Sequence, residues 1–246
     1  MKTPRRNLKK EIRIVLAGHF QQGKSTLSRL LVPNSKAICG DGTQPTTNDE
    51  IDCVTECRSI AIVDTPGVNG KPEHDEKACK SLQSADLVLF VVMTEKTLPE
   101  CVTAHFKKVA EMQIPVILVI NCKDPAGEER NDPAAAEKCN VTKAIIQQIA
   151  NLGVKIIKQF VVNLAWAAAS RGLLEKDHRL TKSILRNYRY IFPEESNDQN
   201  MYMYSRFESL YEYLIVPSGD LFSENGILKH ALQGRIHRIL RTTTQH

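Results

Sequence analysis

Eight residues, Gly18 to Ser25 (GHFQQGKS), set two glycines, a lysine and a hydroxyl at the spacing G-x-x-x-x-G-K-[ST]. That combination suits a polyphosphate. Backbone N–H groups of the loop wrap the phosphate oxygens, and the helix that follows adds the positive end of its dipole. Gly18 and Gly23 let the backbone come close, Lys24 brings a point charge to the β- and γ-phosphates, and the Ser25 hydroxyl can ligate Mg²⁺. His19, Phe20, Gln21, Gln22 and Thr26 complete the expected phosphate contacts. Downstream lies DTPG, Asp64 to Gly67, at the end of an apolar run. Asp64 can hold Mg²⁺ through water, and the Gly67 N–H can meet the γ-phosphate. A lone D-x-x-G is common, but at a strand end behind a phosphate loop it is specific.

These groups need a scaffold that presents loops at one edge. Strands are expected over 12–16, 50–54, 59–63, 86–92, 115–120 and 158–163. Helices are expected over 24–32, 74–84, 100–112, 134–150, 173–190, 203–215 and 227–241, with 33–50 and 193–200 as loops. Runs such as DLVLFVV and PVILVI are apolar on both faces, as strands covered on both sides must be. Alternating strands and helices give an α/β fold: a doubly wound, mostly parallel sheet of about six strands, helices on both faces, and a C-terminal helical extension. The expected organisation is a basic N-terminal segment at 1–11, a nucleotide domain at 12–216 and an amphipathic segment at 217–246. That last segment carries Leu228, Leu232, Ile236, Ile239 and Leu240 at helical spacing. Such a helix exposes its apolar stripe unless it folds back.

At 246 residues the chain can bury a core without staples. Seven cysteines at irregular spacing fit reduced, mostly buried thiols better than a zinc site or a disulfide frame. No apolar run reaches the roughly 20 residues that span a bilayer. The N-terminal MKTPRRNLKK is basic without a following apolar segment, so it does not read as a secretory signal. The net charge of +5 is concentrated at both ends, which suits solvated termini or contact with an anionic partner. A cytoplasmic location is expected, with peripheral membrane contact as the further option.

From about residue 12 to 165 the chain resembles GTPases of the translation-factor-related class, which includes Era-like and dynamin-like proteins. GHFQQGKS, DTPG and ADLVLFVV match that family in order and spacing. NCKD, Asn121 to Asp124, lies where the family reads guanine with N/T-K-x-D. The resemblance implies that Asp124 takes the guanine N1–H and N2–H₂ donors, that Asn121 ties the loop to the phosphate loop, and that Lys123 lies at the base site. Cys122 stands where the family has a lysine along the base, so that brace is missing. VVNLA, Val161 to Ala165, occupies the place of the last motif, which puts Asn163 and Leu164 near the nucleotide. QPTTN, Gln44 to Asn48, resembles a dynamin-like switch, with Thr47 preferred over Thr46 as the group reaching Mg²⁺ and γ-phosphate.

The resemblance implies Mg²⁺-dependent GTP binding and slow hydrolysis that drives a switch-loop change. Val68 fills the position after DTPG from which many relatives orient water with glutamine. Gln21, Lys24 and Thr47 are therefore the expected catalytic groups, with Gln21 orienting water or ligating K⁺, helped by dimerisation across the nucleotide face. The alternatives are a GTP/GDP switch with negligible turnover alone and, less favoured, a P-loop ATPase. Expected partners are GTP or GDP and a second copy, then a membrane or another protein, with nucleic acid the least favoured.

Overall fold

Seven-residue LVLFVVM and six-residue VILVIN are buried at nearly every position, because helices cover both faces of the sheet they form. The computed structural model describes residues 12–33, 51–54, 60–67, 72–94, 97–122, 131–174, 179–194, 197–215 and 227–243. Six strands are β1 (Ile12–Gly18), β2 (Ile51–Val54), β3 (Ile60–Asp64), β4 (Leu87–Met93), β5 (Val116–Asn121) and β6 (Ile156–Val162). Their order is β2-β3-β1-β4-β5-β6. All neighbouring pairs are parallel except β2–β3, an antiparallel pair at one edge.

Ten helices connect or follow them among the described residues: α1 (Lys24–Leu31), α2 (Pro72–Gln83), α3 (Glu100–Glu111), α4 (Pro133–Lys138), α5 (Asn140–Asn151), α6 (Leu164–Ser170), α7 (Arg179–Ile191), α8 (Asp198–Tyr204), α9 (Phe207–Ile215) and α10 (Ile227–Thr243). Strand alternation splits the core in two. Ile14, Leu16, Leu87, Leu89 and Val91 face α1, α6 and α9, while Val15, Ala17, Val88, Phe90 and Val92 face α2, α3 and α5. The chain passes from β1 to β3 on one side and then crosses to β4 on the other. The sheet's switch point therefore lies at the carboxyl end of β1, where open α/β sheets take their ligands.

Several helices differ from expectation, each for a local reason. The run expected over 134–150 is two helices, because Cys139 is extended at φ −67° and ψ 138°. The run expected over 203–215 begins earlier, inside the expected loop at 193–200, since Asn197 caps α8 through Asn200 N–H. It then breaks at Ser205 and Arg206, where Arg206 is left-handed at φ 57°. The break frees the Ser205 carbonyl to accept the Asn163 N–H at 2.9 Å. Among the described residues the stretch 173–190 holds α7, and α6 precedes it, capped by Asn163. Trp166, Tyr188, Met201, Phe192 and Tyr204 join α6, α7 and α8 in a small aromatic core.

The C-terminal helix does fold back on the sheet. Ala231 joins the core, and a Cβ on Gly234 would lie 1.9 Å from the Asp86 carbonyl oxygen and 2.9 Å from Pro115 Cδ. Asp86 is fully buried. Its Oδ2 accepts from the Arg13 N–H at 3.0 Å and from Arg235 Nη2 at 2.8 Å, and its Oδ1 accepts from Arg238 Nη2 at 2.7 Å. Asp86 and Pro115 stand just before β4 and β5, so α10 crosses the amino edge of the sheet, opposite Gly18. Leu232 and Ile236, from the expected stripe, face outward at 41% and 57% exposure. The side chains of Leu228, Ile239 and Leu240 lie outside the described set.

Asp86→Ala strands two arginines at the amino edge and should cost about 3 kcal/mol of stability, the scale for breaking a buried pair. Urea denaturation reads the loss, and hydrogen exchange should show α10 released. GDP affinity should hold, because the phosphate loop is at the other edge.

Candidate functional site

The loop from β1 to α1 depends on backbone conformations that side chains resist. Gly18 has φ 144°, Gly23 φ 99° and Gln21 φ 63°. A Cβ on Gly18 would lie 2.3 Å from the Val91 carbonyl oxygen, and one on Gly23 would lie 2.8 Å from Asn121 Nδ2. Both positions therefore admit only glycine. Gln21 is a non-glycine residue in the left-handed region, at a cost of about 1 kcal/mol. Gly23 caps α1 with no side-chain cap hydrogen bond, and the loop leads into the amino end of the helix, whose dipole favours an anion. Ser25 and Thr26, in that turn, are partly exposed.

Lys24 is only 6% exposed. Its Nζ donates to the His19 carbonyl at 2.9 Å. Burial lowers its pKa to about 8, while the Asp64 charge pulls it back up. Asp64 pairs with Leu16 in the β1–β3 register and is fully buried. Thr65 Oγ1 donates to the Leu16 carbonyl at 2.7 Å and fastens DTPG to β1. A Cβ on Gly67 would meet Phe20 Cα at 2.7 Å and Lys24 Nζ at 2.9 Å, so Gly67 closes over the loop. The His19 ring lies with Nδ1 3.1 Å from the Phe20 carbonyl oxygen.

Asn121 is the junction of three loops. Its Nδ2 donates to the Gln22 carbonyl at 3.0 Å, and its Oδ1 accepts the Leu164 N–H at 3.1 Å. Asn163 is spent inside the protein. Its Oδ1 accepts the Trp166 N–H at 3.0 Å, and its Nδ2 donates to the Asn131 carbonyl at 2.9 Å. It braces the last loop through α6, so any nucleotide contact there falls to the backbone. Its capping role was legible in advance, as an Asn before the alanine-rich LAWAAAS. Thr65 and Asp86 had no such signal, because each acts through a partner far away in sequence.

Cys122 is fully buried in the second core, and burial pushes its thiol up to about 12. It stays protonated and inert. Of the described cysteines, Cys122 is buried, while Cys79, Cys101 and Cys139 are partly buried thiols; Cys39 and Cys57 and the Cys53 side chain lie outside the described set. Lys123, Asp124, Thr46, Thr47 and Val68 lie outside the described residues. So do the basic N-terminal segment, 1–11, and the last residues of the basic C-terminal stretch, 244–246.

The donors present fit Mg²⁺. Ser25 and Asp64 offer hard oxygens beside a glycine cradle, and Mg²⁺ takes one or two protein ligands plus phosphates. Among the described residues no group of three or more His, Cys, Asp or Glu could hold a metal by itself. No described helix is long and apolar enough to cross a membrane.

The sequence profile described as "50S ribosome-binding GTPase" matches residues 13–122. GTPase Era of Thermotoga petrophila is similar, 32% identical over 125 residues that cover 48% of this chain and 41% of that protein. The tRNA modification GTPase MnmE of Halorhodospira halophila is 27% identical over 180 residues, covering 66% of this chain and 38% of that protein. Among solved structures, Era in complex with MgGDPNP and a segment of 16S ribosomal RNA aligns with a TM-score of 0.46 at 21% identity, over 62% of this chain and 50% of that one. The chain therefore spans about two fifths of the length of these two curated relatives.

The lowered pKa of Lys24 carries a pH signature. Phosphate needs the charged lysine, so binding above pH 8 must take up a proton. The GDP dissociation constant should weaken roughly fivefold between pH 8 and pH 9. Calorimetry in two buffers of different ionisation enthalpy should detect the proton. Folding stability moves the other way. The cost of keeping Lys24 charged is fully present below pH 8 and is relieved as pH rises toward the unfolded value of 10.5.

Proposed function

We propose, starting from a chain whose residues 13–122 carry a P-loop GTPase domain of the translation-factor-related class with an Era-like G domain, that it binds GTP and GDP with Mg²⁺ and hydrolyses GTP slowly as a conformational switch. The observation that carries this reading is the seat of Lys24: a nearly buried ammonium between the His19 carbonyl and Gly67, beside Asp64, at the switch point of the sheet. A buried cation so placed awaits an anion.

In this reading the N–H groups from Gln21 to Thr26 wrap the phosphates and Lys24 bridges the β- and γ-oxygens. Ser25 and Asp64 would hold Mg²⁺, with Thr47 joining when GTP is present, and the Gly67 N–H would meet the γ-phosphate. The metal, when bound, neutralises phosphate charge. Asp124 takes both guanine donors, Lys123 and the Leu164 backbone flank the base, and Asn121 holds that site against the phosphate loop. Water attacks the γ-phosphorus, the bond to the β-phosphate oxygen breaks, and GDP and inorganic phosphate leave.

Turnover is the weaker half of the machine. With Val68 after DTPG, Gln21 is the nearest polar candidate to orient water or a K⁺ ion. Its exposure and left-handed backbone suit a group that waits for a second copy to close over the nucleotide face. VVNLA and QPTTN support the dynamin-like variant of the family, in which such closure would be at home. The same exposure of Gln21 also favours a second reading, a GTP/GDP switch with negligible turnover alone. Contact with a membrane, another protein or RNA would be the output of either.

Three measurements decide. Lys24→Ala should lose GDP binding by more than about a hundredfold while still unfolding cooperatively, since it removes a charged phosphate contact. Retained affinity would sink the phosphate site. Asp124→Asn should move preference from guanine to xanthine nucleotides in competition binding, and wild type should prefer GTP to ATP. Single-turnover hydrolysis over a hundredfold range of protein concentration, in K⁺ and in Na⁺, should give a rate per molecule that rises with concentration. Gln21→Ala should lower the rate more than the affinity. A flat rate unaffected by Gln21→Ala selects the switch reading.

A further inference from the structure

We propose that Gln22 is a positioning residue that holds the phosphate loop in its nucleotide-ready shape before any nucleotide arrives. The inference rests on the GTPase reading above and extends it to a residue whose side chain turns back onto the loop's own backbone. A glutamine in the middle of a surface loop would ordinarily point to water. Gln22 is instead 2% exposed. Its Oε1 accepts the His19 N–H at 2.8 Å, closing a ring across Phe20 and Gln21. The reversal at Gln21, φ 63°, is what lets the side chain turn back beneath the loop. The same Oε1 lies 3.1 Å from where a Cβ on Gly18 would sit, so the amide occupies the space this glycine leaves.

The contact is one link in a continuous chain of hydrogen bonds. The Leu164 N–H donates to Asn121 Oδ1, and Asn121 Nδ2 donates to the Gln22 carbonyl. Gln22 Oε1 accepts the His19 N–H, and the His19 carbonyl accepts from Lys24 Nζ. The chain runs from the base-side loop to the lysine that meets phosphate. Both backbone polar groups of His19 are thereby fixed, one by Gln22 and one by Lys24. Without the Gln22 acceptor, the His19 N–H would have to find water or another partner, and the carbonyl that seats Lys24 would lose half of its anchoring. A loop already in its bound shape has less ordering to do on binding.

The test compares Gln22→Met, which keeps length and removes the acceptor, with Gln22→Glu, which keeps an acceptor. GDP is the probe, and amide exchange at His19 is followed in nucleotide-free protein. In Gln22→Met the His19 amide should exchange at least tenfold faster than in wild type. GDP should bind about tenfold more weakly, the scale of one net hydrogen bond, with most of the loss in the association rate because the loop must now order on binding. Gln22→Glu should restore protection of the His19 amide, even though its charge disfavours phosphate. Wild-type exchange at His19 in Gln22→Met, or fast exchange in a folded Gln22→Glu, would overturn the proposal. If Gln22→Met fails to fold, the Gln22→Glu exchange decides alone. If wild type binds no guanine nucleotide, the GTPase reading fails, while the His19 exchange still judges the strut.

Discussion

Keeping a lysine ammonium nearly out of water is the constraint around which the carboxyl edge of this sheet is arranged. Burial alone pulls Lys24 toward neutrality, and a charged group held there needs fixed dipoles and an opposite charge. The His19 carbonyl and Asp64 supply them. Both partners depend on close backbone packing. His19 is placed by a loop that crosses itself in the left-handed region. Asp64 sits at the last position of a strand paired directly with β1. Gly18, Gly23 and Gly67 are the points where that packing leaves no room for a Cβ. The phosphate loop is thus as much a product of β4, β5 and DTPG as of its own residues.

Asn121 carries this dependence to the base side. One carboxamide, donating to the phosphate loop and accepting from the last loop, fixes the distance between two binding surfaces contributed by distant parts of the chain. Asn163 and Ser205 then brace the last loop from behind. The cluster of α6 to α8 therefore bears on that loop. Cys122 shows the reverse. At a position where related proteins place a lysine, this chain places a core residue, and the carboxyl end of β5 is sealed rather than braced.

The opposite edge solves a different electrostatic problem. Asp86 is buried where β4 begins, and one backbone N–H with two guanidinium groups balances it. Gly234 lets α10 come close enough for those arginines to reach. The helix is therefore held by a charge and a missing side chain, while aliphatic residues that make it amphipathic face out.

The sheet and its loops at one edge were legible in the residues, because long apolar runs and G-x-x-x-x-G-K-[ST] report local requirements: burial on two faces, and backbone approach to phosphate. The short β2 was the faintest strand by pattern, and its antiparallel edge pairing comes from β3 rather than from its own residues. Helix ends and breaks were less legible. Cys139 is extended and Arg206 left-handed, and nothing in either residue type announces the break. So too with α10: its leucine spacing announced an amphipathic helix, but a buried aspartate far away in sequence chose the face that docks. The residues that could do chemistry were set by the sequence itself. Which glutamine is exposed and which is buried beneath the loop, what seats Lys24, and where Asn163 spends its amide were decided only in three dimensions. Hydrogen-bond partners and desolvation come from neighbours that linear spacing does not encode.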